Sequence, residues 1–267
     1  MTMNVTMNGK TGLSKGKKIA IASGIAVVVI GIIVAVVLVI TSGVFDKDMK
    51  LIIADGTVNI MDTKGNTSPA KSNSTFQSGQ IISTSYDGTA CIAIDDAKKV
   101  WLEGYSRAEF NKQGKTVEIN LKKGGVFFEV TERPGEKETY QIKTTSITVN
   151  ITKAGSGYVY YDPDSDIQTL IVTDGVVSLD AYNSSTGQRK TAEVHGGQKV
   201  SIYLYASSKE SVKLITADIY PKTLPEFPLR VIAKNSNLLK NICKYNSWDE
   251  SEMQYYIDHL PGMNKES

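Results

Sequence analysis

The sequence predicts an all-β domain, either an antiparallel-rich sandwich or a short β-helix-like fold, preceded by one transmembrane α-helix and followed by a small α-helical appendage. Three observations carry this. From Met49 to about Tyr220, apolar and polar residues alternate with period two in short β-branched and aromatic runs. The run Ile19–Ile40 holds 22 residues without a charge. After Pro221, Pro225 and Pro228 the apolar residues change to helical spacing. The expected segments are a basic tail over 1–18, a span over 19–41, a β domain over 46–220, and a proline-containing linker with two short helices over 221–267.

The span comes first in the chain. At about 1.5 Å of rise per residue, a helix over Ile19–Ile40 is about 33 Å long, enough for a hydrocarbon core of about 30 Å. Lys10, Lys15, Lys17 and Lys18 precede it, whereas Asp46 and Asp48 offset Lys47 and Lys50 beyond it. The positive-inside tendency therefore puts the N-terminus in the cytoplasm and residues 46–267 outside the plasma membrane. A cleaved signal peptide would have a shorter apolar region and a small-x-small site after it. Ala20/Gly24 and Gly31/Ala35 stand at small-xxx-small spacing, which permits a homodimer through the span.

The charge balance follows the same division. Of 30 Lys and Arg against 28 Asp and Glu, the tail takes four Lys and no acid and residues 19–45 carry no charge, so the 222 residues 46–267 carry 26 basic and 28 acidic groups. The basic surplus belongs beside an anionic inner leaflet, and the lipid bilayer is the first expected partner. No basic stripe with interleaved aromatics marks the exported part, so no nucleic acid is expected.

Along the β domain, runs such as Leu51-Ile-Ile-Ala, Cys91-Ile-Ala-Ile, Val126-Phe-Phe-Glu-Val and Val200-Ser-Ile-Tyr-Leu-Tyr read as strands. Asp55-Gly56, Asp87-Gly88, Gly124-Gly125, Pro134-Gly135, Asp174-Gly175 and Gly196-Gly197 read as the turns between them. In the appendage, Leu238, Leu239, Ile242 and Cys243 share a helical face, and Ser247-Trp-Asp-Glu250 reads as a capping box opening a last helix that Pro261-Gly262 ends. Helices this short need a surface to dock on.

Chemistry-bearing residues are sparse. His195 and His259 fit no catalytic or metal spacing, so no catalytic residue is expected. Asp162-Pro-Asp164-Ser-Asp166 starts like a calcium loop, but Ile167 and Thr173 stand where Gly and a bidentate Glu belong. A solvated acidic hairpin is expected there, with no metal and no cofactor. Cys91 and Cys243 are too few for a disulfide framework, and Cys91 lies in an alternating run as a small core residue; one bridge between the two stays open. Tyr158, Tyr160, Tyr203 and Tyr205 fall in strands, where tyrosine is a good strand former. Tyr255 and Tyr256 in the last helix form a candidate interaction surface, since neighbours on a helix diverge by about 100° and one ring can pack while the other faces out. Sheet edges offer a further place for a partner strand.

The β region resembles the FecR domain of iron-dicitrate signal-relay proteins. Gln77-Ser-Gly-Gln-Ile-Ile-Ser-Thr84 resembles the family's opening G-x-I-x-T strand, and Tyr86-Asp-Gly-Thr-Ala90 with Lys99-Val-Trp-Leu102 is similar to its next hairpin. Leu121–Val130 resembles the L-x-x-G-x-V-x-F-x-V element, Tyr140-Gln-Ile-Lys-Thr144 the strand after it, and Leu170–Leu179 with Gly197–Val200 the closing elements. The likeness runs from Leu51 to Leu204. It departs at Ile151–Val159, where the Gly-Thr pair is missing, and at the 18-residue tail, where the relatives carry a sigma-factor-binding domain. It therefore implies the fold and the envelope location but not anti-sigma activity. The expected function is a non-catalytic extracytoplasmic binding or interaction module of the bacterial cell envelope, with a sensing or regulatory role and an envelope protein or glycan as partner. The alternative is a transmembrane regulator relaying an external state to a cytoplasmic factor.

Overall fold

The computed structural model describes residues 49–165, 167–206 and 209–261. The tail and the expected span Ile19–Ile40 lie outside the described residues. Among those described, no helix is long and apolar enough to cross a membrane.

Two sheets share two long strands. The front sheet runs β4 (Ser74–Phe76), β1 (Met49–Asp55), β6 (Thr89–Ala93), β7 (Lys98–Leu102), the second half of β9 (Thr116–Val130), β12 (Gly155–Asp162), the first half of β13 (Ile167–Tyr182), β15 (Gln198–Leu204) and β16 (Val212–Asp218). The back sheet runs β3 (Thr67–Pro69), β2 (Val58–Met61), β5 (Gln80–Thr84), β8 (Arg107–Gln113), the first half of β9, β10 (Thr139–Lys143), β11 (Ile147–Asn150), the second half of β13 and β14 (Arg189–His195). The ladders β9–β12–β13–β11–β10–β9 close a ring of five strands, in which the β9–β10 pair is parallel. The mostly-β class is as expected. The sandwich and β-helix alternatives resolve into two sheets that β9 and β13 join at a closed corner.

Those two strands correct the turn reading. Gly124-Gly125 and Asp174-Gly175 lie within β9 and β13, at the points where each strand passes from one sheet to the other. Gly124 (φ 87°) and Gly175 (φ 79°) supply left-handed backbone there, and a Cβ on Gly175 would stand 2.4 Å from the Ala154 carbonyl oxygen. Beside each bend the long strand carries an extra residue that forms a bulge: Lys122 of β9, opposite Arg107 and Ala108 of β8, and Thr173 of β13, opposite Ser156 and Gly157 of β12.

Inward-facing Ile82, Leu102, Phe110, Val126, Phe128, Ile142, Val149, Leu170, Leu179 and Val200 fill the space between the sheets. The outer face of the front sheet is also covered. Phe127, Tyr158 and Ile171 point outward into a second apolar cluster with the C-terminal helices. β9 therefore alternates in its first half and is buried at every position from Gly124 to Val130, as strands covered on both faces are.

The appendage holds three helices where two are expected: α1 (Glu226–Ala233), α2 (Ser236–Asn246) and α3 (Glu250–Asp258). The prolines hide α1. Pro225 is its N-cap and Pro228 falls in its first turn, where the missing N–H has no intrahelical partner to lose. Ser247 opens no capping box. It ends α2 in a left-handed conformation (φ 56°), and Asp249 caps α3 by accepting from Ser251 N at 2.8 Å. Tyr220–Thr223, by contrast, bonds reciprocally around a short 3₁₀ turn.

Candidate functional site

Cross-strand pairing arranges the front sheet's outer face in rows. One row, Cys91–Trp101–Phe127–Tyr158–Ile171, runs beneath the helices. The next, Gly125–Tyr160–Thr169–Ser201–Ile215, leads to the sheet edge. Beyond it Asp162 opposes Ile167, and Tyr203 opposes Lys213.

Two side-chain clamps hold α2 on the covered part. Asn235 caps the helix by accepting from Leu238 N at 3.2 Å, and its Nδ2 donates to Glu129 Oε1 at 3.0 Å. At the other end, Asn246 Nδ2 donates to the Thr173 carbonyl at 2.7 Å, on the extra residue of the β13 bulge. Burial pushes the Glu129 carboxyl above its ordinary range, with Lys99 and Asn235 opposing. Glu103 is likewise raised by burial, against the hydrogen bond that Tyr158 OH donates to it. That bond lies directly on Gly125, where a Cβ would meet Glu103 Oε2.

The helices stop short of the last two strands. Ile167, Tyr203 and Tyr205 are 53%, 45% and 43% exposed, and with Thr169 and Ser201 they border an open groove of about 380 Å³, while Ile215, 43% exposed, lies opposite Ser201 on the neighbouring strand. Beside it β16 has an edge that no strand among the described residues pairs. Tyr205 N donates to Ser211 O and Ile219 N to Gly197 O, so the register turns Lys213, Ile215 and Ala217 toward β15. The N–H and C=O groups of Leu214, Thr216 and Asp218 then point away from the sheet. Edge strands present such a row as a template for another chain. Lys199 and Lys213 are the flanking cations, and among the described residues of this face no nucleophile–base pair is assembled.

The expected site residues are dispersed. Tyr256 packs against the helical cluster while Tyr255 is 55% exposed and stacks on His259, ring centroids 4.1 Å apart. His259 is the C-cap of α3, its Nδ1 2.7 Å from the Tyr255 carbonyl. His195 lies at the end of β14, 3.8 Å from Glu193. Asp162 accepts from Asp164 N and Ser165 in a tight turn, and Asp164 pairs with Lys123 at 2.8 Å. Among the described residues no three His, Cys, Asp or Glu side chains are grouped to hold a metal, and Asp166 lies outside them. Cys91 and Cys243 are free thiols, both buried. Burial pushes the first up to about 12 and the second to about 11, so neither is a thiolate near neutral pH.

Of the strand tyrosines, Tyr158 is 4% exposed and packed, whereas Tyr203 in β15 and Tyr205 just after it are left about half exposed. Alternation places all of them on one face, but only the third dimension shows where the helices end. The edge position of β16 has no sequence signal of its own beyond its being the last strand.

The FecR protein family matches residues 80–178, which takes in β5 to most of β13 but leaves out β15, β16 and the helices. No curated protein matches the chain. Two crystal structures from Parabacteroides distasonis ATCC 8503, each described as a candidate anti-sigma factor, are similar at 13% identity. One, at 1.65 Å resolution, has a TM-score of 0.42 with 52% of this chain and 59% of that one covered. The other, at 2.50 Å, has a TM-score of 0.45 with 62% and 74% covered. The chain thus spans less than two thirds of the first of them, and neither likeness bears on what it does.

Proposed function

We propose that this chain is a non-catalytic, regulatory binding module of the bacterial cell envelope. Residues 19–41 anchor it in the plasma membrane with residues 46–267 outside, and it captures an extended segment of a partner protein on the open edge of β16. One observation carries the binding step: the edge row of Leu214, Thr216 and Asp218 lies beside an exposed apolar strip of Ile167, Tyr203 and Ile215. Strand addition uses both features, the main-chain hydrogen bonds for affinity and the flanking side-chain pockets for register. The FecR match over residues 80–178 supports the regulatory part. The charge-free run and its lysine flank support the anchor.

Thr216→Pro tests the capture. The Thr216 N–H points off the sheet, so proline removes a donor the fold does not use while blocking an incoming strand. The full-length variant is expected to keep its melting temperature within a few degrees and to lose a partner that the wild type co-purifies from membranes. Retention of that partner at wild-type yield sinks the reading. A relay to a cytoplasmic factor is the second reading, again supported by the FecR match. Deleting residues 1–14 separates them, since a relay loses its output and an external module does not.

A further inference from the structure

We propose that Tyr86 and Tyr105 form a glycan-binding platform that stacks neighbouring sugar rings of a neutral oligosaccharide. This is independent of the β16 reading, because the platform lies on the β1, β6 and β7 side of the front sheet, across five ladders from β16.

Tyr86 and Tyr105 are 75% and 68% exposed, more than any other large apolar side chain among the described residues. Their ring centroids are 6.3 Å apart with planes tilted by 40°. The segments that carry them are tightly tied. Three crossings between the sheets, 55–57, 85–88 and 103–106, meet here: Ser85 N donates to Thr57 O at 3.0 Å, Tyr105 N to Ser85 O at 3.1 Å, and Thr57 Oγ1 to Asp87 Oδ2 at 3.3 Å. Beneath them the buried Ser106 donates its N–H to Thr84 Oγ1 at 2.9 Å, and its hydroxyl bonds both the N–H and the carbonyl of Gly125.

Tyr105 also sits at φ 59°, a left-handed conformation that is disfavoured for a residue bearing a side chain. A ring needed for folding would point into the core. Here the strained backbone instead holds it in solvent beside a second ring, which is preorganisation for a ligand.

The surrounding charges narrow the ligand. The three crossings contain Asp55, Asp87 and Glu103 and no Lys or Arg, and Arg107 beside them reaches toward Met61 Sδ at 3.8 Å. An anionic ligand finds no counter-ion here. A neutral polyhydroxylated one has apolar ring faces to cover and the exposed carboxylates of Asp55 and Asp87 to accept its hydroxyls.

The test is calorimetric titration of the full-length protein in lipid nanodiscs with cellohexaose and with chitohexaose, alongside a proline-rich peptide. Saturable binding of at least one sugar is expected, weakened at least tenfold by Tyr86→Ala and by Tyr105→Gly. Tyr105→Gly also relieves the left-handed strain, so its melting temperature should hold or rise, whereas a ring serving only structure would lower it. No heat from either sugar at millimolar concentration, heat from the peptide alone, or unchanged sugar affinity in Tyr105→Gly would each overturn the proposal.

Discussion

Tyr140 carries its ring into the core between the sheets at 2% exposure, and its hydroxyl has no bonding partner among the described residues. A buried donor left unpaired costs about 1–3 kcal/mol. Tyr140→Phe keeps the ring and removes the orphan, so thermal unfolding should show a gain of about 1 kcal/mol, or roughly 2–4 °C for a domain of this size. A loss would mean that the hydroxyl is satisfied after all. Glu129 has the same problem as a charge. Its Oε1 accepts from Asn235 while its Oε2 is unpaired, and burial raises its pKa above the ordinary 4.5. The folded state therefore holds this proton more tightly than the unfolded state does. The penalty is present above the raised pKa and is relieved as pH falls through it toward the ordinary value. Glu118 acts in a separate, lower window: Lys143 holds it below 4.5, so its contribution is lost only as pH falls through that lowered value. The urea midpoint should accordingly rise as pH is lowered from neutral toward the ordinary carboxylate value of 4.5, and Glu129→Gln should reduce that rise, leaving the part due to Glu103, which burial also raises. A midpoint that falls over this range, in wild type and variant alike, contradicts the assignment.

Elements differ in how far the sequence discloses them. Strands with an apolar alternating run were legible, and the β6–β7 hairpin, β10 and β11 fall where those runs predict, whereas β3, β4, β8, β14 and β16 were not read as strands. The bends of β9 and β13 were not legible, since a glycine pair in a turn and a glycine pair at a sheet crossing have the same composition. Gly175→Ala distinguishes them. With φ 79° and only 2.4 Å to the Ala154 carbonyl oxygen, it should cost about 2 kcal/mol or more in chemical denaturation, whereas a roomy hairpin would lose less. Helix α1 was hidden by prolines that serve as its cap and first turn. The three helices, none longer than α2 with 11 residues, hold together by covering Phe127, Tyr158 and Ile171. Ending the chain at residue 220 should therefore bare that row and give aggregation, seen by light scattering. The groove and the Tyr86–Tyr105 pair were illegible for a shared reason: exposure depends on what the neighbouring elements leave uncovered, and no local pattern records that.

At the scale of the whole molecule, the covered and uncovered halves of one sheet face have different roles in this account. The clamps Glu129–Asn235 and Thr173–Asn246 fix the helices over one half, and the other half stays open beside the outer edge of β16, which has no partner strand among the described residues. The most direct measurement is photocrosslinking in intact cells, with benzoylphenylalanine replacing Tyr203 in the full-length chain. A discrete protein adduct is expected from position 203, and it disappears when Thr216→Pro is added. No adduct above that formed from an exposed loop position such as Lys137, or an adduct that persists in the proline variant, contradicts that expectation.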